Sequence, residues 1–167
     1  MGKPLLQWSI DQAKASKEGK QIWVTSEDLE ILEVAAGLGV GVIKRPAELA
    51  TDAISLEPVI EHALNFLWEF MGPGCKVVLL SATSPIREPW HIDNAFHLLE
   101  EYDTVLSAVP CHEFIWHKGP HNAWPLNYDY EHRPNRQDIH NSFLENGSIY
   151  GFKAWNFMQH HCRLSGS

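Results

Sequence analysis

The histidines are the first residues whose type and spacing suggest chemistry. The chain has 167 residues and 10 histidines, and His112, Glu113, His117 and His121 lie close together in sequence. Their His-Glu-x-x-x-His spacing differs from the His-Glu-x-x-His spacing that places two zinc-binding imidazoles on one helix face. The three cysteines are far apart and form no CxxC pair. We therefore expect no metal ligands among these residues.

Three aspartates are possible catalytic carboxylates: Asp28, Asp93 and Asp103. For Asp28 the surrounding residues favour a structural role, because an acidic side chain in the first turn of a helix is stabilised by the helix dipole. Asp93 and Asp103 stay open as candidates.

Composition excludes some classes of function. The formal net charge of −8 argues against nonspecific DNA binding, which needs a basic surface. Three scattered cysteines favour a reducing compartment, and we expect a cytoplasmic protein. The polar segment after Met1 does not resemble a signal peptide. No apolar run approaches the roughly 20 residues needed to span a bilayer, so we expect no membrane partner.

The positioning elements alternate between helices and strands. Leu56, Val59, Ile60, Ala63, Leu64 and Leu67 form one apolar stripe at helical spacing. The run KVVLL at 76–80 is typical of a buried strand in a parallel sheet. Further strands are predicted over 21–25, 40–43, 104–109 and 148–152. Further helices are predicted after Pro4, after Ser26 as the N-cap, after Pro89 and over 153–161. This alternation predicts a three-layer α/β/α fold with a mostly parallel, Rossmann-like sheet.

Residues 112–141 have a different composition and little periodicity. A loop this long within a compact domain usually serves function or forms an interface. Because the chain is acidic, its aromatic residues favour a dimer surface over a base-stacking platform. We predict a single domain over 1–167, with 112–141 as an insert for dimerisation or substrate binding. The aromatic residues of the insert are Phe114, Trp116, Trp124, Tyr128 and Tyr130.

Six segments together carry a family resemblance. They read GKPL at 2–5, VTSED at 24–28, RPAELATD at 45–52, LLSATSPIR at 79–87, RQD at 136–138 and ENGSIY at 145–150. In this order and spacing the chain resembles the acylneuraminate (CMP-sialic acid) cytidylyltransferase family over about residues 2–155. CMP-KDO synthetases share that fold but fit the segments less well.

The resemblance implies a nucleotide-diphospho-sugar transferase-like fold and a nucleotidyl transfer. In this reaction a hydroxyl of a nonulosonic acid attacks the α-phosphate of CTP, giving a CMP-sugar and pyrophosphate. Implied partners are CTP or CMP, an acidic nine-carbon sugar and a second copy of the chain in a homodimer, with Mg²⁺ as the cofactor. Cations must neutralise the charge that such a transfer concentrates.

The resemblance also assigns binding residues, while the catalytic residues stay unknown. Ser81 stands where the family usually has a glutamine that contacts the sugar, and Leu144 where it often has an arginine. An arginine fork such as that of Arg136 suits the sugar carboxylate. The implied nucleotide-binding residues are Arg45, Ala53, Ile54 and Ser55, and the implied sugar-binding residues are Ser81, Arg136, Gln137, Asn146 and Tyr150.

Some residues of these segments also have a structural interpretation. Arg136 could form a surface salt bridge, and Ser55 could cap the helix that follows it. Thr83 and Ser84 could be plain turn residues, and Asn146-Gly147 is by itself a turn signal.

Two family segments have no counterpart in the sequence. The resemblance implies a strand and a triphosphate-binding loop before the GKPL segment, and metal-binding aspartates after the last residue, Ser167. We therefore expect the Mg²⁺ ligands to be absent from this chain and its activity alone to be weak or nil. The alternatives are a noncatalytic sugar- or nucleotide-binding module derived from the family, and a fragment of a longer gene product.

The implied missing strand would lie between strands 21–25 and 76–80. Unpaired backbone groups in the middle of a sheet cost about 1–3 kcal/mol each when buried. Either the two strands pair directly, or a second copy inserts a segment, or a separate polypeptide supplies the strand.

Overall fold

The computed structural model describes residues 2–19, 21–72, 74–140 and 142–167. The helices within these residues are α1 (Leu5–Ala15), α2 (Leu29–Gly37), α3 (Leu56–Leu67), α4 (Pro89–Glu101) and α5 (Ala154–His160). The strands are β1 (Trp23–Ser26), β2 (Gly41–Lys44), β3 (Lys76–Leu80), β4 (Thr104–Pro110), β5 (Trp116–Lys118), β6 (Ala123–Pro125) and β7 (Phe143–Lys153). None of these helices is long and apolar enough to cross a membrane.

The start of α2 differs from the prediction. The carboxylate of Asp28, which is the N-cap, accepts a hydrogen bond from the backbone N–H of Glu30 at 2.8 Å. The predicted cap, Ser26, ends β1 instead, and its hydroxyl accepts from the N–H of Asp28 at 3.2 Å. The Ser26 prediction is wrong because two capping residues compete and the carboxylate is the stronger acceptor.

The turn predicted at Asn146-Gly147 is also wrong. Strand β7 runs through both residues, so it is longer than the predicted 148–152. Gly147 has φ = +67°, a left-handed conformation that glycine adopts at little cost. One such residue inside a strand produces a local irregularity rather than a reversal.

The chain folds into two compact units. Unit 1 comprises Met1–Leu106 and Gly147–Ser167, and unit 2 comprises Ser107–Asn146. Strands β4 and β7 each begin in one unit and end in the other. Unit 2 contains nearly all of the predicted insert, except position 141, which lies outside the described residues.

Unit 1 has helices on both faces of its sheet. Residues three apart on a strand face opposite sides, and Ile149 and Phe152 of β7 show this. Ile149 packs with Ala13 of α1 and Ile92 of α4, while Phe152 packs with α3 and with Phe157 of α5. The predicted helix–sheet–helix layering of an α/β fold is confirmed.

The strands of unit 1 form two separate ladders. Strand β1 pairs in parallel with β2, from Trp23 opposite Gly41 to Ser26 opposite Lys44. The second ladder has the order β3-β7-β4, with β7 antiparallel to β3. Among the described residues no ladder joins β1 to β3. Direct pairing of these strands is therefore not observed, and strand supply by a second copy or another polypeptide stays a prediction.

Unit 2 has more regular structure than its sequence predicted. Strands β5 and β6 form an antiparallel hairpin, with Trp116 opposite Pro125. The guanidinium of Arg133 lies 3.8 Å from the ring centroid of Phe114, which meets Tyr128 edge to face. Such contacts order a segment that has no helical or strand periodicity.

Candidate functional site

Arg45 lies where the carboxyl ends of β1 and β2 meet. Its backbone N–H donates to the carbonyl of Ser26 at 2.9 Å. Its guanidinium donates two hydrogen bonds to one carboxylate oxygen of Glu27, at 2.5 and 3.2 Å. This guanidinium is the main cause that lowers the pKa of Glu27. The carboxyl edge of the β1–β2 pair therefore holds the Arg45 cation and the Glu27 anion, whose charges balance each other.

The other predicted nucleotide-binding residues, Ala53, Ile54 and Ser55, form an exposed turn before α3. The backbone N–H of Ile54 donates to the carbonyl of Thr51 at 3.1 Å. Ser55 occupies the N-cap position of α3, but its hydroxyl makes no capping hydrogen bond. The capping interpretation of Ser55 is therefore wrong, and its hydroxyl faces solvent. Within the described residues no hydrogen bond joins Arg45 to this turn.

Ser81 begins a turn at the carboxyl end of β3. Its carbonyl accepts from the N–H of Ser84 at 3.3 Å, and its hydroxyl lies 2.8 Å from that of Thr83. The interpretation of Thr83 and Ser84 as turn residues is confirmed. The same turn presents two adjacent hydroxyls, which can donate to or accept from a bound polar group.

Arg87 donates hydrogen bonds to this turn, and the sequence did not predict it as a site residue. The residue is only 6% exposed. Its guanidinium donates to the carbonyls of Ser81 and Ser84, both at 2.6 Å. It also reaches the hydroxyls of Ser9 on α1 at 3.3 Å and of Ser148 on β7 at 3.1 Å. Its place in the 79–87 segment was visible in the sequence, but its burial depends on contacts from distant segments.

Tyr150 lies on β7, opposite Leu79 of β3. The guanidinium of Arg163 sits 4.7 Å from the centroid of its ring and forms an ion pair with Glu57 of α3. One face of the predicted sugar-binding tyrosine is thus occupied by a residue of the same unit.

Arg136, Gln137 and His112 line a cavity of about 390 Å³ within unit 2. Arg136 forms an ion pair with Glu113, and both side chains are 66% exposed. Nδ1 of His112 lies 2.9 Å from the carbonyl oxygen of Ile139. The structure therefore places Arg136 and Gln137, two predicted sugar-binding residues, beside the same cavity. The predicted surface salt bridge of Arg136 is confirmed.

The remaining predicted sugar-binding residues are divided between the units. Asn146 ends unit 2, where its amide oxygen accepts from the hydroxyl of Ser107 at 2.6 Å. Ser81 and Tyr150 belong to unit 1.

The three candidate aspartates all have structural roles. Asp28 caps α2. Asp93 accepts from the hydroxyl of Ser16 at 2.5 Å and from two backbone N–H groups beyond it, and the pKa of Asp93 is lowered mainly by the Ser16 hydrogen bond. Asp103 accepts from Lys153 at 3.0 Å, which is the main cause that lowers its pKa.

No group of three or more histidine, cysteine, aspartate or glutamate side chains is placed to hold a metal ion in the part of the chain that the structure describes. Mg²⁺ prefers several oxygen ligands in octahedral geometry. Because Mg²⁺ can also bind through one or two carboxylates together with substrate phosphates, its binding to this chain stays a prediction.

Comparisons with known proteins agree with this architecture. A family model described as Cytidylyltransferase matches residues 1–164. The chain is 32% identical to an N-acylneuraminate cytidylyltransferase of Oncorhynchus mykiss and 34% identical to N-acylneuraminate cytidylyltransferase A of Danio rerio, each over 158 residues. Each match covers 89% of this chain and 35% of the relative. The chain thus spans about a third of the length of these relatives.

A solved structure supports the fold. The structure of CMP:2-keto-3-deoxy-manno-octonic acid synthetase complexed with CTP superposes with a TM-score of 0.64 at 13% identity, covering 100% of this chain and 70% of that one. This likeness confirms the predicted nucleotide-diphospho-sugar transferase-like fold. The family model over residues 1–164 shows that the chain belongs to the cytidylyltransferase family, as its resemblance to the acylneuraminate enzymes implied.

Proposed function

We propose that this chain carries nucleotide and sugar sites of an enzyme that joins CTP to a nonulosonic acid, releasing pyrophosphate and a CMP-sugar. The supporting observation is the place of Arg45, at the carboxyl edge of a parallel strand pair in a chain that matches the cytidylyltransferase model over residues 1–164. Ligands of open α/β sheets bind at this edge.

In this proposal Arg45 exchanges one anionic partner for another. Its guanidinium is held by Glu27 before the nucleotide arrives. An arginine fork binds phosphate as well as carboxylate, so the nucleotide can replace Glu27. The free hydroxyl of Ser55 and the backbone of Ala53 and Ile54 then offer polar groups to the cytosine and ribose.

The sugar acid binds Arg136 in the same way, by replacing a glutamate. Its carboxylate displaces Glu113 from the guanidinium, while Gln137 and His112 line the same cavity. Exposed salt bridges contribute little, typically about 0–1 kcal/mol, so the exchange costs little.

Substitution of Arg136 tests this part of the proposal. Arg136→Ala is expected to weaken N-acetylneuraminate binding about tenfold or more, because a charge-assisted hydrogen bond is lost. Glu113→Gln is expected to strengthen binding by up to about fivefold, because the competing carboxylate is gone. Isothermal titration measures both affinities, and an unchanged affinity in Arg136→Ala would remove Arg136 from the sugar site.

Turnover is the direct test of the proposed function. The chain, incubated with CTP, N-acetylneuraminate and MgCl₂, is expected to release little or no pyrophosphate alone, and to form a CMP-sugar once a polypeptide carrying the triphosphate-binding loop is supplied. Omitting either substrate should stop both products. Absence of product even with that polypeptide added, and with CTP and sugar supplied above their dissociation constants, would overturn the enzyme proposal.

The second candidate is a noncatalytic binding module. It is favoured by one observation, that no group of three or more histidine, cysteine, aspartate or glutamate side chains is placed to hold a metal ion among the described residues. This alternative predicts CMP or sugar binding that is the same with MgCl₂ and with EDTA, and no pyrophosphate. Titration in the two buffers distinguishes it from the enzyme.

We also propose a homodimer that uses the apolar surface of unit 2. Exposed residues there include Trp116, Trp124, Leu126 and Tyr130, with exposed fractions of 42–62%. Aromatic side chains commonly dominate the binding energy of interfaces. Trp124→Glu is expected to raise the dimer dissociation constant at least about tenfold in sedimentation experiments. Leu29→Glu, on the exposed start of α2, is the control expected to leave association unchanged.

A further inference from the structure

His112 has one ring nitrogen whose protonation follows from its partner. Nδ1 lies 2.9 Å from the carbonyl oxygen of Ile139. A carbonyl oxygen accepts hydrogen bonds and cannot donate them, so Nδ1 carries the hydrogen. In a neutral imidazole the other nitrogen, Nε2, is then an acceptor with a free lone pair. Within the described residues no hydrogen bond occupies Nε2.

The same hydrogen bond ties His112 to the turn that carries Arg136. Ile139 is only 4% exposed, and its backbone N–H donates to the carbonyl of Arg136 at 3.3 Å. The backbone next to His112 is anchored as well, because the N–H of buried Cys111 donates to the carbonyl of Ser142 at 2.8 Å. The imidazole is therefore held beside this turn before any ligand binds.

The cavity within unit 2 receives the other edge of the imidazole. The two ring nitrogens point in different directions, so Nε2 faces away from Ile139 when Nδ1 donates to it. His112 lines the cavity together with Arg136 and Gln137. Its volume of about 390 Å³ lies at the small end of the roughly 300–1,000 Å³ of ligand sites. The cavity thus offers a small ligand a cation and an acceptor lone pair.

These two groups match one structural unit of a sugar acid. In N-acetylneuraminate a single carbon carries both the carboxylate and a hydroxyl, so the two groups lie side by side. With the carboxylate on Arg136, the hydroxyl needs an acceptor, and a guanidinium has only donors. Nε2 of His112 supplies that acceptor. Gln137 has an acceptor oxygen too, but among the described residues no hydrogen bond orients its amide.

We propose that Arg136 and His112 together recognise a carboxylate and a hydroxyl on the same carbon. The guanidinium binds the carboxylate, and Nε2 of His112 accepts a hydrogen bond from the hydroxyl. The ligand class is a sugar acid whose carboxylate-bearing carbon has a free hydroxyl, and His112 determines this specificity. The inference rests on the proposed function for the position of the carboxylate and adds the residue that selects the hydroxyl.

Two sugars and two variants test this specificity by isothermal titration. The wild-type chain is expected to bind N-acetylneuraminate about fivefold more tightly than its 2-deoxy analogue, in which hydrogen replaces the hydroxyl. His112→Asn keeps a donor for the Ile139 carbonyl but has no atom at the Nε2 position. It should bind both sugars as the wild-type chain binds the analogue. His121→Asn changes an exposed histidine of unit 2 that does not line the cavity, and it should keep the wild-type preference.

Nitrogen NMR of the imidazoles is a second measurement, made on the wild-type chain. It distinguishes a ring nitrogen that carries hydrogen from one with a lone pair, and the His112 signals are those missing from His112→Asn. At about pH 8.5, where an ordinary histidine is neutral, Nδ1 of His112 should carry the hydrogen. The Nε2 signal should move on addition of N-acetylneuraminate and stay in place with the analogue. Hydrogen on Nε2 would overturn the inference.

The titrations can contradict the inference without contradicting the proposed function. Equal binding of the two sugars by the wild-type chain, or an unchanged preference in His112→Asn, refutes the role of His112. Loss of the preference in His121→Asn refutes it as well. The sugar site itself stands in each case if Arg136→Ala still weakens N-acetylneuraminate binding. A wild-type chain that does not bind N-acetylneuraminate overturns both the site and the inference.

Discussion

Replacing Phe152 by alanine is expected to lower the free energy of unfolding by about 3–5 kcal/mol, the usual cost of deleting a buried aromatic side chain. Phe152 is 0% exposed and its ring centroid lies 5.3 Å from that of Phe157. It packs with Ile60 and Leu64 of α3 as well. The substitution leaves a cavity where α3, α5 and β7 meet, and the surrounding residues of a protein core relax only in part around such a cavity.

Urea unfolding followed by circular dichroism measures this loss. Phe143→Ala on the same strand is the control, because Phe143 is 68% exposed and its removal should change stability by no more than about 0.5 kcal/mol. Similar losses in the two variants would mean that Phe152 is not at the centre of a cooperative core. A loss comparable to the total stability would appear as an unfolded chain, since domains of this size are stable by only about 5–15 kcal/mol.

Local sequence patterns predicted those parts of the fold that depend on local interactions. The helix over 56–67 and the strand over 76–80 have the predicted bounds, because an apolar stripe and a continuous apolar run each specify one structure. The position of β7 between β3 and β4 could not be predicted in this way. It depends on pairing between segments about 70 residues apart along the chain, which no periodicity records.

The sequence likewise predicted only part of the candidate site. The resemblance selected Arg45 and Arg136, but the structure shows each already paired with a glutamate, Glu27 or Glu113. Arg87 was missed because its partners come from α1, β7 and its own turn. A buried arginine is recognisable only once those segments are placed, since arginine is usually an exposed residue.

Arg45→Ala is the functional change with the largest expected effect on the nucleotide. It removes a cation from the carboxyl edge and also leaves the Glu27 carboxylate, formerly held by two hydrogen bonds, without its partner. Both changes oppose an anionic ligand, so CTP affinity is expected to fall about 10- to 100-fold. Isothermal titration with CTP measures the loss.

The contribution of Glu27 can be separated by a double-mutant cycle. Arg45→Ala/Glu27→Gln removes the exposed carboxylate and is expected to recover part of the lost CTP affinity, whereas purely additive effects of the two substitutions would show that Arg45 and Glu27 are not coupled in CTP binding.

The pH dependence provides a second check. Arg45 lowers the pKa of Glu27 in the wild-type chain, so Arg45→Ala should let it rise towards the ordinary glutamate value of about 4.3. Protonation of Glu27 removes a repulsive charge. The CTP affinity of Arg45→Ala relative to Arg45→Ala/Glu27→Gln should therefore increase as the pH falls from about 6 to 4, and a constant ratio over that range would contradict competition between Glu27 and the nucleotide.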